Sequence, residues 1–110
     1  MPTIHRLLGG LGLLMAAAAL PALAQPEARA ALQLRSLAAS CAACHGTDGR
    51  APEGAAVPGL AGMPAGYLAE QMKAFKAGTR PATVMPQLAR GYSDAQIEQL
   101  AAYFAARPKR

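Results

Sequence analysis

Hydrophobic and polar positions divide the 110-residue chain into stretches of different character. Leu7 to Leu20, LLGGLGLLMAAAAL, runs fourteen residues without a charge until Pro21 breaks it. From Glu27 to about Cys44 good helix formers dominate, and Leu34, Leu37 and Cys41 recur at i, i+3 and i+7, which predicts a helix with one apolar stripe. Gly46 to Gly62, GTDGRAPEGAAVPGLAG, is dense in Gly and Pro and reads as a loop. Pro64 suits a first helical turn, and Tyr67, Leu68, Met72 and Phe75 then form an apolar stripe that stops at Gly78. The segment from Thr79 to Met85, with Pro81 inside it and Pro86 behind it, is expected to be extended, because proline pushes the residue before it out of the helical region. Ser93 with Gln96 three residues on has the form of a capping box. Ile97, Leu100, Ala101 and Phe104 then mark one face of a last helix that ends before Pro108. In all, the pattern predicts four helical pieces and no strand, a small all-α architecture.

The apolar amino-terminal stretch follows His5 and Arg6 and leads to Ala22-Leu23-Ala24, the small-x-small pattern cleaved in secretory signal peptides. It falls short of the roughly 20 apolar residues that span a bilayer, and its glycines weaken it as a permanent anchor. Residues 1–24 are therefore expected to be a cleaved signal peptide and residues 25–110 a single exported domain. A periplasmic location and no stable membrane span after processing follow from that expectation.

Composition sharpens the picture. Hydrophobic residues reach 53%, but aromatic residues only 5%, with no Trp, and much of the excess is alanine and the leader. The remaining chain is too short for a two-domain enzyme, and a domain that small buries only about 60–65% of its unfolded surface, so it commonly needs a staple. The whole chain carries 11 Lys+Arg against 6 Asp+Glu; loss of Arg6 with the leader leaves a net charge of +4. With no recognition motif, that modest charge does not point to nucleic acid. Lys73, Lys76 and Arg80 recur at intervals of three and four and could form a positive stripe, or an ordinary solvated helix face.

The two cysteines narrow the choice of staple. Cys41 and Cys44 lie three apart in Ser40-Cys41-Ala42-Ala43-Cys44-His45, and a disulfide across so small a loop removes little unfolded-state entropy. A thioredoxin-like pair wants a strand before it, and a zinc site wants four ligands, whereas only His45 is left after processing. C-x-x-C-H is also the haem attachment signature, in which two thiols on one helical face form thioethers and the adjacent imidazole meets the iron. That reading accounts for all three residues and supplies the staple. A second iron ligand has to come from Met63, Met72 or Met85, unless the position is open. Met72 sits on an apolar stripe, where methionine usually fills core, and Met63 lies only 18 residues beyond His45. Met85 is 40 residues beyond, enough chain to travel around a porphyrin, and is favoured. His/Met ligation raises the reduction potential and suits electron transfer.

Four segments together resemble the class I c-type cytochromes over about residues 34 to 106: LRSLAASCAACHG, VPGLAG, YLAEQMKAFKAGTR and ATVMPQLARGYSDAQIEQLAAYFA. Within that class the chain is most similar to the monohaem cytochrome subunit of flavocytochrome c sulfide dehydrogenase. The resemblance implies about four helices around one covalent haem c, thioethers at Cys41 and Cys44, proximal ligand His45 and distal ligand Met85. It implies that the Pro58 carbonyl accepts a hydrogen bond from the His45 ring. Arg80 is a candidate partner for a haem propionate. The function so implied is periplasmic electron transfer from an FAD-containing sulfide dehydrogenase subunit, without substrate chemistry of its own. The alternatives are a free-standing monohaem carrier to a terminal oxidase or reductase, meeting other periplasmic redox proteins, an open-iron catalyst such as a peroxidase, and a thiol-redox pair.

Overall fold

The computed structural model describes residues 25–109; the expected signal peptide, residues 1–24, lies outside the described residues. Five α-helices are present: α1 Gln25–Ala39, α2 Ala42–His45, α3 Ala65–Ala77, α4 Met85–Ala89 and α5 Asp94–Ala105. A 3₁₀ turn occupies Thr47–Gly49, and no strand occurs among the described residues. No helix among them is long and apolar enough to cross a membrane. The compact unit that carries the fold is Leu32 onward; Gln25–Ala31 is a further length of helix.

The amphipathic patterns build the core directly. Ala38 from α1, Leu68 and Ala69 from α3, and Ile97, Leu100, Ala101, Tyr103 and Phe104 from α5 form one buried cluster. Ile97 is the largest fully buried side chain, and covering a residue of this kind contributes about 1.5–3 kcal/mol. Leu34, Leu37 and Cys41 pack against that cluster, as their spacing predicted. Of the stripe on α3, Leu68 and Phe75 are buried, whereas Tyr67 is 47% exposed. Among the α5 alanines, Ala101 is buried, Ala102 exposed and Ala105 half-buried. Two ion pairs lace α3 to α5 at the surface, Lys73 with Glu98 and Lys76 with Asp94 at 2.7 Å.

Helix ends follow local chemistry. The Ser93 hydroxyl accepts from the Gln96 N–H at 3.1 Å, and the Gln96 side chain accepts from the Ser93 N–H at 2.9 Å, the expected capping box. Gly78 closes α3 in the left-handed conformation at φ 78°, and the N–H groups behind it return to Ala74 and Phe75.

Three expectations need correction. Pro64 caps α3 from outside, with φ −57° and ψ 131°, instead of occupying its first turn. The helix expected through Cys44 breaks at Ser40 and resumes as α2. Ser40 donates its hydroxyl to the Leu37 carbonyl at 2.9 Å, a local bond that competes with the helical ladder. Met85 does not end an extended segment; it opens α4. Pro86 sits in the first turn of that helix, where the missing N–H costs nothing.

Candidate haem site

The short helix α2 presents Cys41, its N-cap, and Cys44 and His45 within about one turn. The Cys41 and His45 N–H groups donate to Ala38 and Cys41 carbonyls, at 3.1 and 2.9 Å, so hydrogen-bonded turns run from the end of α1 through the motif. Cys44 is exposed and Cys41 half-buried, and no disulfide joins them. Burial pushes the Cys41 thiol above its ordinary value, with neighbouring Ser40 partly offsetting it.

His45 is 8% exposed, the one buried polar side chain among the described residues. Its Nδ1 lies 2.6 Å from the Pro58 carbonyl oxygen. A carbonyl can only accept, so Nδ1–H donates and the Nε2 lone pair is left for a metal. No buried side-chain nitrogen or oxygen among the described residues lacks a partner. Gly46 behind the histidine has φ 83° and ψ 159°, a conformation essentially reserved for glycine. It turns the chain sharply out of α2 into the 3₁₀ turn.

The three methionine candidates separate by surroundings. Met63 and Met72 both pack against the core cluster, whereas Met85, half-buried at the start of α4, is not among the side chains packed there. Met63 also lines an open hollow of about 440 Å³ with Arg50, Glu53 and Lys109, formed by the 49–63 loop and the tail. Val84 and Leu88, beside Met85 in the chain, are 53% and 50% exposed. Two neighbouring thiols, an imidazole with a fixed tautomer, an uncommitted thioether and uncovered apolar side chains are a donor set and a surface that fit a haem. No group of three or more His, Cys, Asp or Glu side chains gathers among the described residues, so the zinc reading finds no third ligand there.

The basic residues of the proposed stripe are all engaged. Lys73 and Lys76 pair with α5 carboxylates, and Arg80 lies 4.6 Å above the Phe75 ring with its guanidinium donating to the Gln71 side chain.

Two tyrosine contacts flank the motif, and neither follows from the sequence pattern. Tyr103 donates its hydroxyl to Asp48 Oδ1 at 2.6 Å, holding the turn just past His45 to α5. That bond sets the Asp48 carboxyl below the usual carboxylate range, helped by Arg50, and raises the Tyr103 hydroxyl. Arg107 lies 4.3 Å over the Tyr103 ring. On the other side, Tyr92 meets Ser40 at 3.0 Å. The partners are 55 and 52 residues apart, beyond the reach of any periodicity.

Comparison with known proteins agrees with the geometry. The chain matches the Cytochrome c family over residues 33–106. It is 46% identical over 68 residues to the thiosulfate dehydrogenase electron acceptor of Thiomonas intermedia, covering 62% of this chain and 31% of that protein. It is 40% identical over 68 residues to the cytochrome subunit of sulfide dehydrogenase of Chlorobaculum tepidum, covering 62% and 60%. It is 42% identical over 71 residues to cytochrome c-554(548) of Halomonas halodenitrificans, covering 60% and 82%. The match thus spans about a third of the first of these relatives. The chain belongs to the cytochrome c family, an electron-transfer protein whose Cys41, Cys44 and His45 motif carries one covalently attached haem c.

Proposed function

We propose that this cytochrome works in the periplasm as the electron acceptor of a sulfur-compound dehydrogenase, with an FAD-containing sulfide dehydrogenase subunit as its donor. When bound, the haem supplies a one-electron couple. Cys41 and Cys44 hold the group through thioethers. His45 offers Nε2 to the iron because its Nδ1 proton is committed to Pro58, the observation that carries the reading. Such a hydrogen bond fixes the ring and makes the imidazole a stronger donor. Met85 would supply the second ligand to the iron; it is the methionine of the three that does not pack against the core cluster. With His45 and Met85 both holding the iron, no position would be left for substrate, which suits a carrier and not a peroxidase. Arg80, already positioned on α3 by Phe75 and Gln71, is the candidate partner of a propionate.

The sulfur partner is supported by relatives named for sulfide and thiosulfate dehydrogenases. The higher identity to the thiosulfate dehydrogenase acceptor favours a second reading, in which the donor is a thiosulfate dehydrogenase. The likeness to cytochrome c-554(548), over most of its length, favours a third, a free-standing carrier.

Stopped-flow reduction of the ferric protein distinguishes them. Rapid reduction by the flavoprotein with sulfide, together with co-elution on size exclusion, is expected. Reduction only by thiosulfate dehydrogenase with thiosulfate would replace the donor, and reduction by neither would leave the free carrier. Met85→Ala is expected to abolish the ferric Met–iron absorption band; its persistence would reassign the distal ligand.

A further inference from the structure

Tyr92 connects two parts of the site that the chain places far apart. Its N–H donates to the Ala89 carbonyl at 3.2 Å, just as Gly91 N–H donates to Leu88 at 3.0 Å, so Tyr92 continues the turn that ends α4. Ala89 is wholly buried, which anchors that turn in the interior. The next residue, Ser93, caps α5. Thus the backbone from Met85 to Tyr92 is a short, hydrogen-bonded unit fixed at its far end. The Tyr92 ring packs against the core cluster, and its hydroxyl lies 3.0 Å from Ser40 Oγ. Ser40 has one hydroxyl proton, which goes to the Leu37 carbonyl at 2.9 Å, so Tyr92 is the donor in the pair. Ser40 in turn immediately precedes Cys41, whose N–H is held by Ala38.

We propose that Tyr92 is a positioning residue for the Met85 ligand: its hydroxyl ties the Met85-bearing segment to the turn that presents Cys41. The proposal rests on Met85 being the distal ligand. The bond joins the two ends of one mechanical path, from Met85 through α4 and Tyr92 to Ser40 and the first attachment cysteine. The Tyr92 hydroxyl, donating to Ser40, holds the far end of that unit to the turn before Cys41 and so restricts outward movement of α4. Phenylalanine at 92 keeps the ring packing and removes only the tie.

The test is cyanide binding to the ferric holoprotein, followed by stopped flow at saturating cyanide, where release of the protein ligand limits the rate. Tyr92→Phe is expected to bind about threefold faster, the lower part of the range for one neutral hydrogen bond, because Ser40 is exposed and water competes. Ser40→Ala should match it, and the double variant should be no faster than either single one. Ile97→Val, which weakens the core without touching the tie, should bind cyanide at the unaltered rate. A wild-type rate in Tyr92→Phe, or equal acceleration in Ile97→Val, would overturn the proposal. Met85→Ala separates the two readings. Loss of its Met–iron band with an unchanged rate in Tyr92→Phe rejects the Tyr92 role alone, and retention of the band rejects the ligand assignment and the Tyr92 role together.

Discussion

Replacing Gly46 by alanine tests whether the turn behind His45 is as constrained as its geometry implies. Gly46 has φ 83° and ψ 159°, a region that costs a residue with a Cβ about 1–3 kcal/mol. A Cβ there would stand 2.3 Å from the Arg50 carbonyl oxygen, 2.5 Å from its carbon and 2.8 Å from the Ala51 nitrogen. All three are backbone atoms, so no side chain can swing away. The turn is also tied from both sides, since Gly46 N–H donates to Ala42 and Gly49 N–H donates to Gly46, at 3.0 and 2.9 Å. Forced displacement of packed backbone adds a further 1–3 kcal/mol or so, and the total loss is about 4 kcal/mol. Gly54 is the matched control: its φ is 75°, but nothing lies within 4 Å of its added Cβ. Gly54→Ala should therefore lose only the conformational part, about 1–2 kcal/mol. Guanidinium titration of the ferric holoproteins, read by far-ultraviolet circular dichroism, gives both values, and the gap corresponds to a Tm difference of about 10 °C or more at this size. If the two variants agree within about 1 kcal/mol, the error of such a comparison, the close approach to Arg50 does not constrain the turn and the reasoning fails.

Other outcomes follow from single contacts. Ile97→Ala, at a wholly buried position of α5, should lower the unfolding free energy by about 2–5 kcal/mol in the same titration. Ser93→Ala should lose about 1 kcal/mol through the cap, and Ser93→Asp should recover most of it. Asp48 is held below its ordinary carboxylate range by the Tyr103 hydroxyl, so its contribution is present above about pH 4 and is lost as pH falls through the lowered folded value. Asp48→Asn should accordingly flatten part of the stability decline as pH falls below about 4, measured by denaturation at stepped pH; an unchanged slope would remove Asp48 from the acid response.

The parts of this molecule legible in its sequence are those set by neighbours in the chain. Ser93 and Gln96 announced their helix because a capping box is closed within four residues, and Ile97, Leu100 and Phe104 announced its buried face by period alone. Cys41, Cys44 and His45 were legible because attachment needs that spacing. The Pro58 contact came through family resemblance, and the structure forms it at 2.6 Å. Ser40 interrupts a stretch of good helix formers through its own hydroxyl, a competition that propensity does not register. Met85 opens a helix where the prolines predict extended chain, because Pro86 falls in the first turn, the one place a helix tolerates proline. Tyr92 and Tyr103 leave no mark in the pattern because their partners, Ser40 and Asp48, lie 52 and 55 residues away in the chain and meet them only in the folded molecule.

The ion pairs that join α3 to α5 have a consequence for encounter with other proteins. Each places a carboxylate within a few ångströms of the ammonium, so at a distance the two cancel and that flank projects little field. Electrostatic steering toward an acidic redox protein would then have to arise elsewhere on the surface. Reversing Glu98 to lysine should introduce a strong ionic-strength dependence into approaches along this flank, where the native protein would show little.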